Sequence, residues 1–274
     1  MLDAPTGSKT ESSGHNDRKF ITSLARGLEV LRAFRARDGF LGNSEISERT
    51  GLPKPTVSRL THTLCELGYL THLPRINKYR LAPAAITLGY SALANLGVRN
   101  VARPFMSMAA ETLAAPIALG VLDRHRALYL DIARGSTTFT VQLDIGSRIP
   151  LAKTAMGWAL LAALDEDARE DMMDRLADRH GSEWQMWRQR IDEALADYSE
   201  HGFVVCSGAW RSDINAVGVP LIAADGTGIF AFNCGGPPNQ FTADRMENEF
   251  GPALRALVAK IDRELSGETP YVRP

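Results

Sequence analysis

The chain has 274 residues, 45% hydrophobic and 23% charged, with a formal net charge of -1. At about 100–200 residues per domain that length predicts two domains, and the longest apolar stretch, residues 156–164, is far short of the roughly 20 residues needed to cross a bilayer. Three widely spaced cysteines, Cys65, Cys206 and Cys234, argue against a disulfide framework and fit a reducing cytoplasm. No cysteine or histidine pair has zinc spacing, so neither a metal nor another cofactor is expected.

The near-neutral total conceals an asymmetry. Residues 1–100 hold 14 Lys+Arg and 8 Asp+Glu, a net of +6, and residues 101–274 hold 17 and 24, a net of -7. A basic front joined to an acidic back predicts a polyanion binder fused to a second module. Residues 1–20 are polar, lack the apolar core of a signal peptide, and are expected to form a disordered tail.

Leu24, Leu28, Leu31 and Phe34 recur at helical spacing and predict a first helix from Thr22 to about Asp38-Gly39. Ser44 is placed as the N-cap of a short helix over 45–50, which Gly51 stops. Pro53 and Pro55 fit only the first turn of the next helix, whose buried stripe is read as Val57, Leu60, Leu64 and Leu67. Residues 69–72 and 79–81 predict two strands joined by a basic hairpin, which completes a winged helix-turn-helix.

A linker helix is expected from Pro83, and Arg103-Pro104 to mark the start of another. Strands are predicted at 117–122, 127–131, 139–143, 203–206, 215–223 and 228–234, with a turn at Asp225-Gly226. Helices are predicted at 154–164, across 166–199, and from Thr242 to Lys260 with a break at Gly251-Pro252. The fold class is therefore α+β, with a largely antiparallel sheet flanked by helices in the back half. The expected boundaries are a tail over 1–20, a DNA-binding domain over 21–82, a linker over 83–102, a sensing domain over 103–266 and a second tail over 267–274.

In a helix-turn-helix the second helix enters the major groove. At 100° per residue Ser58, Arg59 and His62 lie opposite the apolar stripe, with Thr56 at its edge, and these can reach base edges or phosphates. Lys54, Arg75, Lys78 and Arg80 would neutralise phosphates and make binding salt-dependent.

The runs SLARGLEVL (23–31), SEISERTGLPKPTVSRL (44–60) and ELGYL (66–70) resemble the DNA-binding half of IclR-type bacterial transcription regulators. The resemblance covers about residues 22–265. It implies a GAF-like C-terminal domain that binds a small metabolite, often a carboxylate, and GSRIPLAKTAMGWALLA (146–162) is similar to its signature. If Ala155, Met156 and Gly157 open a helix, their free N–H groups could hold an anion, although Gly157 equally suits tight helix packing. Further similarity over 201–205, 216–221 and 228–237 points to Asp213, Asn215, Asn233 and Gly235 as cavity residues. Asn233 and Gly235 share one face of a strand and Cys234 the other. The chain departs from the family in its 206–212 run, where relatives carry an acidic stretch, and at Asn233 and Gly235, where serine is frequent.

No nucleophile elbow, phosphate loop or metalloprotease motif is present, so enzymatic activity is not expected. The expected partners are a double-stranded DNA operator, a small effector such as an aromatic or other small carboxylate, and further copies in a homodimer or a dimer of dimers. No membrane partner is expected. The alternatives are an architectural DNA-binding dimer without ligand response and, more remotely, a small-molecule hydrolase built on Cys206 and Asp213. The residues do not distinguish repressor from activator.

Overall fold

In the computed structural model, residues 19–35, 38–136, 143–223 and 226–267 are described. The chain divides into two compact units, Met1–Thr87 and Leu88–Pro274. The strand predicted over 139–143 lies outside the described residues except for Leu143, as does Asp225 of the predicted turn. The predicted tails lie outside them except for residues 19 and 20 and Gly267.

The first unit holds α1 (Thr22–Arg32), α2 (Asn43–Thr50), α3 (Lys54–Glu66), β1 (Leu70–Leu73) and β2 (Lys78–Leu81). The two strands pair antiparallel, and Leu41 bridges to Tyr79 to add a third, one-residue edge. Val30, Leu41, Ile46, Val57, Leu64 and Leu70 make its core.

Four local expectations change here. Helix α1 ends at Arg32 and not near Asp38, because Arg49 takes the Ala33 carbonyl at 2.8 Å and Asp38 accepts the Arg35 N–H at 2.6 Å, which turns the chain. Gly42, not Ser44, precedes α2, and the Glu45 carboxylate accepts the Gly42 N–H at 2.7 Å, as a third helical residue does in a capping arrangement. Leu67 is exposed, and Thr61 is fully buried in the stripe of α3. Leu24 and Leu28 of α1 are exposed as well, and Val30 carries its packing.

Helix α4 (Pro83–Ala94) spans the division, and none of its residues is buried. The second unit continues with α5 (Gly97–Thr112), β3 (Ile117–Asp123), β4 (Arg126–Ala133), β5 (Arg148–Pro150) and α6 (Ala155–Ala162). It then adds α7 (Glu166–His180), α8 (Trp184–His201), β6 (Val204–Ser207), β7 (Asn215–Ile222), β8 (Ile229–Gly236), the short α9 (Ala243–Arg245) and α10 (Gly251–Leu265). Pro104 lies inside α5 and does not start it. The helical region over 166–199 is two helices, divided at Gly181 by a tight turn. The interruption in the last helical region is a π-helical stretch, Met246–Phe250, ahead of the Gly251-Pro252 start of α10.

The sheet order is β5-β4-β3-β8-β7-β6, every pairing antiparallel. Helices α5 and α10 pack on one face, against Leu119, Val217, Val219, Phe230 and Phe232. Helices α6 to α8 pack on the other, against Ala118, Tyr129, Ala216 and Ala231. Among the described residues no helix is long and apolar enough to cross a membrane.

Two devices fix these layers. The register of β3 with β4 shifts between Leu119 and Gly120, which leaves Leu130 as an extra residue in a bulge. Asp131 beside it is fully buried and meets Arg103 and, at 3.1 Å, Arg99, both on α5. It also accepts the Ile132 N–H at 2.8 Å. On the opposite face α6 lies almost on the backbone of the sheet. A Cβ on Gly218 would stand 2.4 Å from the Ala155 carbonyl oxygen, and one on Gly157 would stand 2.0 Å from that of Leu151.

Gly218→Ala is therefore expected to destabilise the second unit by about 1–3 kcal/mol, the usual cost of overpacking. Gly89→Ala, where a Cβ would meet nothing within 4 Å, should be close to neutral. Urea unfolding of both variants checks this, and equal midpoints would refute the close seat of α6.

Candidate functional site

Two sites are built by these units. In the first, Gly51 ends α2 with a φ of +70°, the left-handed turn that lets α3 start three residues later. Helix α3 buries Val57, Thr61 and Leu64, and this leaves Lys54, Ser58, Arg59 and His62 exposed along its other side, with Thr56 half-buried. Arg75 and Arg80 are exposed on the β1–β2 wing. The wing is stiffened by the His72 and Tyr79 rings, 4.9 Å apart, and by the His72 Nε2 contact to Asn77 at 3.2 Å.

Not every basic side chain here is turned outward. The Lys78 ammonium stands 3.1 Å from the Glu45 carboxylate and so ties the wing to α2. Glu45 is held below the usual carboxylate range, first by the Gly42 N–H and then by Lys78. Arg49 is committed to Asp38 at 2.5 Å, and this contact, more than any other influence, lowers the Asp38 carboxyl.

The second site is a cavity between the α6 face of the sheet and the start of α6. Strand alternation supplies the floor: Asn233 and Gly235 project from β8 into the cavity, while Phe232 and Cys234 enter the opposite core. Tyr129, Ile132 and Ile149 come from β4 and β5, and Trp210 and Ile214 from the segment between β6 and β7.

Of the residues expected to line a ligand site, Ala155, Asn233 and Gly235 do line this cavity, and four others are engaged elsewhere. Met156 is fully buried, with its sulfur against Gly120. The Gly157 N–H donates to Thr154 Oγ1 at 3.1 Å, and its missing side chain makes room for Leu151. Asn215 donates to the Phe241 carbonyl at 2.8 Å. Asp213 is exposed and paired with Arg211 at 2.7 Å, which lowers its carboxyl.

Tyr129, Arg134, Lys153, Cys206 and Trp210 were not expected in the cavity. Lys153-Thr154 stands directly before the signature turn and Trp210 lies in the run that departs from the family, so the sequence held a local signal for these. For Tyr129 and Arg134 it held none. Burial pushes the Tyr129 phenol up to about 12, against the pull of its hydrogen bond with Asn233. Asn233 Oδ1 is buried and has no hydrogen-bond partner among the described residues, so the Tyr129–Asn233 pair leaves one acceptor unsatisfied beside the cavity.

Cys206 also lines the cavity, where its thiol donates to the Lys153 carbonyl at 3.7 Å and burial pushes it up to about 11. Thiolate is the reactive form, so at pH 8 only on the order of one part in a thousand is available. Iodoacetamide labelling of Cys206, followed by mass spectrometry, should keep rising with pH through 10. A plateau near 8.5, as for an ordinary thiol, would contradict this environment.

Comparison with known proteins places these sites in a family. Residues 23–74 match the IclR helix-turn-helix domain, and residues 90–263 match the bacterial transcriptional regulator IclR C-terminal domain. The HTH-type transcriptional regulator TsaQ1/TsaQ2 of Comamonas testosteroni is 33% identical over 91% of this chain and 90% of its own length. An IclR family transcriptional regulator from Brucella abortus is similar in structure, with a TM-score of 0.83, 41% identity, and coverage of 94% of this chain and 97% of that one. An IclR homolog from Microbacterium hydrocarbonoxydans, complexed with 4-hydroxybenzoate, shares the fold at a TM-score of 0.71 and 23% identity, over 89% and 99% of the two chains.

Proposed function

The chain belongs to the IclR family of bacterial transcriptional regulators, and from that premise we propose that it reads an operator through α3 and the wing, under control of a small molecule held in the sheet cavity. The observation that carries the DNA half is the division of α3 into a buried side and a side bearing Ser58, Arg59 and His62 in solvent. Arg59 suits bidentate contact to guanine, Lys54, Arg75 and Arg80 suit phosphates, and Thr56 and Ser58 suit either phosphate or a thymine methyl. Lys78 reaches a phosphate only by leaving Glu45, so its contribution is smaller than its charge suggests.

A single α3 covers too few base pairs to be selective, so the active species is a homodimer on a near-palindromic site. Support comes from apolar surface that one copy leaves uncovered. On α4, Ile86, Leu88 and Tyr90 are each more than three-fifths exposed, and Leu24 and Leu28 of α1 are at least half exposed. Pairing two copies through these helices would remove that surface from water.

The effector reading rests on the cavity. Its walls are mostly apolar, with Trp210 and Ile149 among them, while Tyr129 and Asn233 offer hydrogen bonds at the floor. That combination suits a small amphiphilic acid, aromatic in the favoured case, and a relative of this fold holds 4-hydroxybenzoate. Such a ligand acts by having different affinities for two arrangements of the DNA-reading units. An enzymatic role lacks support, because the Cys206 thiol is disarmed by burial and Asp213 is spent on Arg211.

Gel-shift titrations on DNA from upstream of the chain's own gene test the first half. Arg59→Ala should weaken binding by about 1–3 kcal/mol and relax selectivity. Arg75→Ala and Arg80→Ala should each lower the salt slope by roughly one unit. Unchanged affinity and slope in all three would sink the assignment. For the effector half, a small carboxylate that raises the melting temperature of the wild type should fail to do so in Asn233→Leu. A hit indifferent to changes at Asn233, Ala155 and Trp210 binds elsewhere.

A further inference from the structure

Resting on the reading of the sheet cavity as the effector site, we propose that the charged end of the effector is an anion held by the side chains of Arg134 and Lys153, in competition with their resting carboxylate partners. The motif by itself directs an anion to the free N–H groups opening α6. In the structure Thr154 Oγ1 takes the Gly157 N–H, and the Met156 side chain is turned to Gly120. Of Ala155, Met156 and Gly157 only Ala155 lines the cavity, together with Thr154 before it.

Two of the lining residues carry cationic side chains. Arg134 and Lys153 line the cavity, and no carboxylate lines it among the described residues. An anion in the cavity would give either head group a partner in place of its resting one, whereas a ligand of like charge would gain nothing from them. Both cations have counter-ions, and both counter-ions stand outside. The Lys153 ammonium is 3.3 Å from Glu183, whose side chain is 61% exposed, and Arg134 is 2.5 Å from Asp144, which is 72% exposed. Ion pairs with a well-solvated acid hold their cation weakly.

Lys153 rests against neighbours outside the cavity. Its ammonium lies 4.3 Å from the centre of the Trp187 ring, and the Trp187 indole N–H donates to the same Glu183 carboxylate at 3.3 Å. Those two donors hold Glu183 below the usual carboxylate range, so it remains an ionised competitor at neutral pH. Arg134 is steadied by donating to the Leu143 carbonyl at 2.7 Å. A guanidinium has five N–H donors and an ammonium three, enough to meet a carboxylate or sulfonate without abandoning these supports.

The test compares matched anionic and neutral probes on the full chain by isothermal titration at low salt: benzoate against benzamide, and benzenesulfonate against benzenesulfonamide. The wild type should prefer each anion by about tenfold or more, as expected for a charge-assisted contact in a partly dry site. Lys153→Met and Arg134→Met should each erase most of that preference while leaving the neutral probe within about twofold, and Lys153→Arg should restore it. Glu183→Gln, a change at an exposed position, should tighten benzoate severalfold by removing the competitor. Equal binding of anion and amide, or an anion preference that survives both methionine variants, overturns the proposal and leaves the cavity reading intact. Binding of none of the four probes also overturns it, and the carboxylate screen then decides separately whether the cavity binds any acid.

Discussion

Helix α6 sits closer to its sheet than any side chain would allow, and the sensing half of the molecule is arranged around that contact. Gly120 and Gly218 clear the sheet surface for Met156 and Ala155, and Gly157 clears the helix for Leu151. Close packing of this kind fixes the helix against the sheet, because a Cβ at Gly218 would meet the Ala155 carbonyl and one at Gly120 the Met156 sulfur. The cavity is the space left beside the contact, where the start of α6 passes over Tyr129, Asn233 and Gly235. Its dimensions therefore follow from glycine positions at least as much as from the residues that face a ligand.

The strands serve two cores at once. Along β8, Phe230, Phe232 and Cys234 enter the layer under α5 and α10, and Ala231, Asn233 and Gly235 face α6 and the cavity. In β4 the bulge at Leu130 breaks strict alternation, so that Leu130 joins the α5 core and the adjacent Asp131 meets the α5 arginines, while Tyr129 and Ile132 remain with the cavity. A buried carboxylate is tolerated only where charge and hydrogen bonds compensate it, and Arg99, Arg103 and the Ile132 N–H supply both.

How much of this was legible in the sequence depended on range. The winged helix-turn-helix could be read because its signals are local: Gly51 for the turn, Pro55 for the first turn of α3, and a short basic hairpin, each within a few residues of its effect. The same periodicity misplaced the packing of α1, since Leu24 and Leu28 look identical in sequence whether they are buried in one chain or left for another. Period two sorted Asn233 and Gly235 from Cys234 correctly. It could not gather Tyr129, Trp210, Arg134 and Lys153 into one cavity, because that depends on the strand order β5-β4-β3-β8-β7-β6, which is set by long-range pairing. Gly157 was open to two readings, and only the position of the Leu151 carbonyl distinguishes them.

The Asp131 cluster also sets a rule for modularity. Regulators of this type invite hybrids in which the DNA-reading half of one chain is spliced to the sensing half of another. Helix α5 follows α4 after two residues, and it carries Arg99 and Arg103 within its first two turns. A splice made in α5 beyond Arg103 would take these arginines from one parent and Asp131 from the other, burying a carboxylate whose partners had been chosen for a different sheet. A splice made ahead of Gly97 keeps all three groups from one parent, so the seam that the chain tolerates lies on the α4 side of that glycine.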